Sequence, residues 1–195
     1  MGIFIVFHSK TGNTYRLALA VAEGVTAAGG EAVLRKVPDA APPEVIERNE
    51  RRRQTYRQLQ DVPDVQVREL PQADGLVFGS PVHFGNMAAE LKQVFDRMGG
   101  LWVKRALVGR PAALFCTNET LHCGKEAALL SMIPPILAHG MILVGVPASA
   151  EGIDRYGSYY GAVATNEPEE GNLVVARHLG RRITEVARRL GDFHE

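Results

Sequence analysis

The sequence predicts an α/β fold built on a parallel sheet of five strands, and three observations carry that expectation. Short apolar runs recur along the chain, the spans between them are long enough for crossover helices, and those spans place apolar residues at helical spacing. Ile3 to Phe7 is the first run, apolar and aromatic throughout, as expected for a strand covered on both faces. Leu17, Val21, Ala22 and Val25 then fall on one helical face after Thr14. Ala32 to Val37, Gly75 to Phe78, Ala112 to Cys116 and Met141 to Val146 supply the remaining strands. Met87, Leu91, Val94, Phe95 and Met98 mark a second helix after Asn86, and Ala127 to Ala138 a third. The last helix runs from Leu173 to Leu190, with Val174, Ile183, Val186, Ala187 and Leu190 as its apolar stripe and arginines opposite.

One stretch breaks the alternation. Residues 38–71 open with Pro42-Pro43 and carry Arg48, Arg51, Arg52, Arg53 and Arg57 among Glu44, Glu47 and Glu50. A nucleic-acid arm and a solvated helix or mobile excursion both have such charge. The second reading is preferred, because the acids and bases largely cancel and Tyr56 is the only aromatic available for stacking. The chain is therefore read as a single domain over 1–195, with 38–71 a charged excursion between the second and third strands.

Composition narrows the function classes. At 195 residues, 46% hydrophobic and 23% charged, the chain has the make-up of a soluble globular domain. Lys+Arg and Asp+Glu are 22 each, so the field that would draw nucleic acid or an anionic membrane is missing. Cys116 and Cys123 are too few for a disulfide framework and wrongly spaced for a CxxC site, which suits a reducing cytoplasm. Gly2 to Phe7 lacks a basic leader, no run reaches the length of a membrane span, and Val6 spoils a myristoylation signal. A soluble, cytoplasmic protein is expected.

In an open parallel sheet, ligands bind beyond the carboxyl ends of the strands. After the first strand, Ser9-Lys10-Thr11-Gly12-Asn13-Thr14 sets hydroxyls, an amide and a glycine directly before a helix, whose free N–H groups favour a phosphate. The ordinary alternative is an N-cap by Asn13 or Thr14. No GxxxxGK[ST] occurs, and no two glycines are separated by one residue, so P-loop and GxGxxG sites are excluded. The loop instead resembles the flavodoxin phosphate loop, which holds flavin mononucleotide (FMN).

The loop after the third strand reads Gly79-Ser80-Pro81-Val82-His83-Phe84-Gly85-Asn86-Met87, and the helix after it ends in Gly99-Gly100-Leu101-Trp102. Together these are similar to the WrbA family of flavin-dependent NAD(P)H:quinone oxidoreductases, in which a Gly-Thr-Pro loop and Phe-Gly-Asn-Met precede a helix ending in Gly-Gly-Leu-Trp. The likeness continues through Thr117 to His122, Leu137-Ala138-His139-Gly140-Met141 and Tyr160-Gly161-Ala162.

The resemblance implies a flavodoxin-like three-layer sandwich with strand order 2-1-3-4-5. It implies that Ser9 to Thr14 take the FMN phosphate, and that Pro81, Val82, His83, Phe84, Gly85 and Asn86 with Thr117, Asn118, Glu119, Thr120 and His122 frame the flavin ring. His139 would come from a neighbouring subunit, both as a flavin contact and as a proton or hydrogen-bond donor to the reduced quinone. Trp102 would cover the open flavin face, where quinone and nicotinamide stack in turn. The implied assembly is a homodimer or homotetramer, with quinone and NAD(P)H as partners and neither nucleic acid nor a membrane span.

Departures from the family pattern mark where contacts should change. Glu119 replaces a glycine in the third loop, Thr11 stands where a tyrosine is common, and Val82-His83 replace Thr-Arg. Some residues carry two readings: His83 as a flavin contact or a loop histidine bonded to backbone, and Trp102 as a ligand face or plain packing. Cys116 reads as an apolar filler, His122-Cys123 lack the partners of a metal site, and His8, His178 and His194 have no supporting constellation. The rival functions are a one-electron flavodoxin-type carrier and a flavin-binding regulatory module.

Overall fold

The computed structural model describes residues 1–191; His194 lies outside them. The first apolar run becomes β1 (Gly2–Phe7), and the turn after it enters α1 (Asn13–Ala27). β2 (Glu31–Lys36), β3 (Gly75–His83) and β5 (Pro111–Asn118) extend the sheet in parallel, in the order β2-β1-β3-β5. In-register pairs such as Ile5↔Leu34 and Ile5↔Val77 put β1 in the middle, which is why it carries no polar residue.

The fifth place in the sheet differs from the expected single strand over Met141 to Val146. Only β6 (Ile142–Leu143) forms a ladder there, against Pro111 and Ala112 at the start of β5. The chain then leaves through α7 (Ile153–Tyr156) and β7 (Gly157–Ser158), and β8 (Gly161–Thr165) takes the rest of that edge beside Phe115–Asn118. Pro147 cannot donate to a ladder, and the bond from Val146 N–H to Tyr159 O turns the chain back on itself. With β4 (Asn86–Met87) hairpinned onto β3, the sheet has eight strands rather than five, although the spatial order of the five positions is as expected.

Helices cover both faces. α1 and α8 (Glu170–Leu190) share one core with Ile3, Ile5 and Phe7, while α4 (Ala89–Arg97) and α6 (Lys125–Ala138) pack Leu91, Val94, Phe95, Met132 and Ile136 on the other face against Phe4, Val6 and Phe78. A short α5 (Gly99–Val103) follows α4. α1 and α8 cross with backbone nearly touching backbone. A Cβ on Gly24 would sit 2.0 Å from Arg177 O, and one on Gly180 2.0 Å from Val21 O, so only glycine admits the crossing.

The charged excursion is neither an arm nor an unattached helix. It folds as α2 (Pro43–Arg48) and α3 (Glu50–Gln58), followed by a 3-10 turn over Val67–Gln72. Ile46, Thr55 and Leu59 are buried, and the Asn49 side chain caps α3 by accepting from Arg52 N–H at 3.0 Å. Among the described residues no helix is long and apolar enough to cross a membrane.

Candidate active site

The carboxyl ends of β1, β3 and β5 open onto a cleft of about 440 Å³. Of the expected site residues, Lys10, Thr11, Asn13, Thr14, Pro81, Val82, His83, Thr117, Asn118, Glu119 and Thr120 line it. The first loop supplies its amide donors. Gly12 takes a left-handed φ of 91° as the cap residue of α1 and has no side chain to cap it, so neither Asn13 nor Thr14 plays the capping role. Among the described residues, the N–H groups of Thr11, Gly12, Asn13 and Thr14 have no partner in the chain. Ser9 lies beneath them, its hydroxyl accepting from Tyr15 N–H at 3.2 Å. Unpaired N–H groups at the start of a long helix form an anion cradle, and a phosphate is the group that satisfies them.

The third loop is tied to the first by the hydroxyls of Thr14 and Thr117, 2.7 Å apart and buried. Asn118 Nδ2 donates to Thr120 O at 2.6 Å, leaving Asn118 Oδ1 buried without a partner. An orphaned acceptor on a cleft wall is where a ligand N–H is wanted, and the imide N–H of a flavin is of that kind. Glu119 is exposed at the rim. The donor set therefore fits FMN.

The second loop is a tight hairpin. His83 pairs with Asn86 and Val82 with Met87, so Phe84 and Gly85 form a two-residue turn with φ of 52° and 75°. Gly85 takes this conformation freely, whereas Phe84 is strained and points into solvent. His83 is half-buried beside Lys10. Burial, and then the Lys10 charge, hold its imidazole below the ordinary histidine range, so it is neutral at pH 7.

Behind the cleft the structure assembles a charged cluster that no sequence spacing announced. His8, at the end of β1, is fully buried, and its Nδ1 donates to Val37 O at 3.0 Å. Its Nε2 has no partner and lies 3.6 Å from Glu90 Oε1, which Lys10 Nζ approaches to 3.1 Å. Asp39, after β2, receives Arg52 at two points, 2.7 Å from Nε and 2.6 Å from Nη2. Burial depresses the His8 pKa despite the neighbouring carboxylates. Both acids stay below the ordinary carboxylate range although burial opposes ionisation: Glu90 because of His8 and Lys10, Asp39 because of Arg52.

Sequence reasoning also missed Asn49, Arg52 and Cys123 as lining residues of the cleft. The cap signal at Asn49 was readable, but the fold-back of α3 that carries Arg52 there was not. Cys123 was dismissed along with His122, yet its thiol faces the Thr120 and Asn118 groups. Weak burial raises its pKa, and hydrogen bonds to those groups outweigh it, so the net direction is down. Cys116 is the buried filler expected, its thiol pushed far up by burial.

Of the expected residues outside the cleft lining, Ser9, Gly12, Phe84, Gly85 and Asn86 belong to its first two loops, and three lie elsewhere. His122 is exposed and outside the cleft lining. His139 precedes β6, which pairs with the amino end of β5, so it sits at the end of the sheet opposite the cleft. Its Nδ1 is buried without a partner, and burial lowers its pKa. Trp102 lies on the same side, because α4 runs back from the cleft before α5 begins, and its ring is largely exposed.

Comparison with known proteins places the chain in a family and identifies its fold. Residues 2–153 match the family described as NADPH-dependent FMN reductase. The chain is 45% identical over 188 residues to an Archaeoglobus fulgidus protein named NAD(P)H dehydrogenase (quinone), covering 96% of this chain and 98% of the relative. A protein of the same name from Syntrophobacter fumaroxidans is 40% identical over 202 residues, covering 97% and 98%. Two solved structures bear on the fold. A WrbA-like flavodoxin protein from Agrobacterium tumefaciens superposes with a TM-score of 0.67 at 24% identity, over 96% of this chain and 98% of that one. A flavodoxin from the domain Archaea gives 0.66 at 17%, over 96% and 99%. The architecture is thus flavodoxin-like, and with its family matched over residues 2–153 and relatives aligned over nearly their whole length, the chain belongs to the NADPH-dependent FMN reductase family.

Proposed function

We propose that the protein binds FMN in the cleft and reduces quinones with NAD(P)H, the two substrates occupying one place in turn, in ping-pong order. The observation that carries this reading is the set of unpaired N–H groups at Thr11 to Thr14, opening onto a cleft flanked by the second and third loops. The relatives named NAD(P)H dehydrogenase (quinone) support it. Bound there, FMN supplies the hydride chemistry, and the chain's task is to bind, orient and tune. Thr11 to Thr14 hold the phosphate by backbone N–H. Asn118 Oδ1 would accept a hydrogen bond from the flavin imide, and Lys10, anchored on Glu90, would supply a positive charge in the cleft. His83, neutral at pH 7, offers a hydrogen bond rather than a charge.

Trp102 and His139 share the opposite end of the sheet, so they complete a site only against a second copy of the chain. A homodimer or homotetramer therefore belongs to this reading: the exposed Trp102, Val103 and Leu137 supply an apolar face, and the unpartnered Nδ1 of His139 supplies the polar contact.

The test is spectroscopic and kinetic. Purified protein should quench FMN fluorescence on titration and oxidise NADH or NADPH only when a quinone is present. Protein that binds no FMN ends the reading. Protein that binds FMN but shows no quinone-dependent oxidation of either dinucleotide leaves the one-electron carrier or the regulatory module.

A further inference from the structure

A second cavity, of about 300 Å³, lies beyond the carboxyl end of β2, beneath α3. It is separate from the cleft but shares two walls with it, Lys10 and Arg52. Its volume is at the small end of the range of ligand pockets, enough for one nucleoside. Val37 and Leu59 are its buried apolar residues. Tyr56, half exposed on α3, offers a ring face, and Gln60 adds an amide that can both donate and accept. Along its border with the cleft stand two cations whose positions are fixed: Lys10 by Glu90 at 3.1 Å, and Arg52 by its two-point contact with Asp39.

The walls are mixed: Val37, Leu59 and the Tyr56 ring offer apolar surface and a stacking face for a purine, while Gln60 and the Asp39 and Asp64 carboxylates offer partners for its amino group and the ribose hydroxyls. Lys10 and Arg52 at its mouth, each held by one carboxylate, Glu90 and Asp39, are fixed donors that a pyrophosphate can reach, with Asp39 on the cavity side of that wall. The far side of those cations is the cleft where a nicotinamide would react. We propose that this cavity takes the adenosine half of the dinucleotide, with its pyrophosphate crossing the Lys10–Arg52 wall and its nicotinamide in the cleft. The inference rests on the reading of the cleft as the FMN and nicotinamide site. It also gives the arginine-rich excursion a task, since α3 brings both Tyr56 and Arg52 to the dinucleotide.

The experiment uses the FMN-loaded protein, ADP-ribose as a probe without nicotinamide, and N-benzyl-1,4-dihydronicotinamide as a hydride donor without adenosine. ADP-ribose binding is measured calorimetrically in wild type, Tyr56→Ala and Tyr56→Phe. The expected result is binding by wild type and Tyr56→Phe, and about tenfold weaker binding by Tyr56→Ala, the usual loss for one stacked base. The KM for the full dinucleotide should rise by a similar factor in Tyr56→Ala, with the truncated donor affected in neither KM nor kcat. Equal ADP-ribose affinity in all three proteins, or a parallel rise of KM for both donors, overturns the proposal. If wild type oxidises neither donor, the functional reading fails, and the ADP-ribose titration still decides the adenosine site by itself.

Discussion

Thr14 and Thr117, 103 positions apart in the chain, meet hydroxyl to hydroxyl at 2.7 Å and join the first loop of the cleft to the third. Replacing Thr14 by Val removes one partner and leaves the buried Thr117 hydroxyl unpaired. The expected cost is about 1–2 kcal/mol of stability. Because the bond also sets the distance between the two loops, FMN affinity should fall as well. Urea unfolding and fluorescence titration measure the two effects, and unchanged FMN affinity would separate the bond from the cofactor.

The Gly24–Gly180 crossing predicts a larger effect on stability. In Gly180→Ala the new methyl would lie 2.0 Å from Val21 O, so α1 and α8 must separate along their length. A loss of about 3 kcal/mol or more is expected from overpacking of this kind, read as a lowered denaturation midpoint. A surface change such as Arg189→Ala should leave the midpoint within about 0.5 kcal/mol.

Phe84 predicts a gain. Its left-handed backbone is strained for a bulky residue, and Asn accepts that conformation more readily. Phe84→Asn should therefore stabilise the hairpin by about 1 kcal/mol. If the exposed ring helps hold flavin or quinone, the same variant will lose affinity for it, so the melting temperature and KM should both rise.

Acid sensitivity follows from the cluster behind the cleft. The folded His8 has a pKa below the 6.5 of the free side chain, because burial disfavours its charged form. As pH falls through 6.5 the unfolded chain takes up a proton that the folded chain refuses, so stability is full above that point and declines below it. Glu90 and Asp39, held below their ordinary range, act in the same direction at still lower pH. His83 and His139 are also depressed, so the His8 share is isolated by comparison with a variant. His8→Gln should lose less stability than wild type between about pH 7.5 and about pH 5.5, measured by urea midpoints.

If subunits complete the site, FMN affinity should fall on dilution, because assembly and binding are linked. His139→Ala should weaken FMN binding although His139 lies across the sheet from its own chain's cleft, whereas Arg189→Ala should not. A monomer at micromolar concentration with full FMN affinity and turnover would exclude the shared site.

The framework was legible in the sequence wherever apolar residues ran together. β1 needed no long-range information, since only a strand covered on both faces lacks polar residues over Gly2–Phe7. The loops of the cleft were legible for a related reason: they begin where those runs stop. The fifth strand was misread because its edge is built from two segments, and the apolar run 141–146 shows neither where pairing ends nor that Gly161–Thr165 resumes it. His8 was passed over because its meaning lies in Asp39 and Glu90, brought beside it by three different strand ends. The same holds for Arg52, whose place over the cleft depends on how α2 and α3 fold back. Tertiary juxtaposition of charges leaves no period to read.

The crossing of α1 on α8 also bears on how the chain is made. α1 ends at Ala27 and α8 begins at Glu170, yet each is the other's cover: Leu17, Val21 and Val25 are buried with Val175, Leu179 and Ile183. During synthesis the side of α1 that α8 covers must wait until Glu170–Leu190 has emerged. The nascent protein is consequently exposed to aggregation until α8 is made, and a premature stop before residue 170 leaves a product that cannot close its own core.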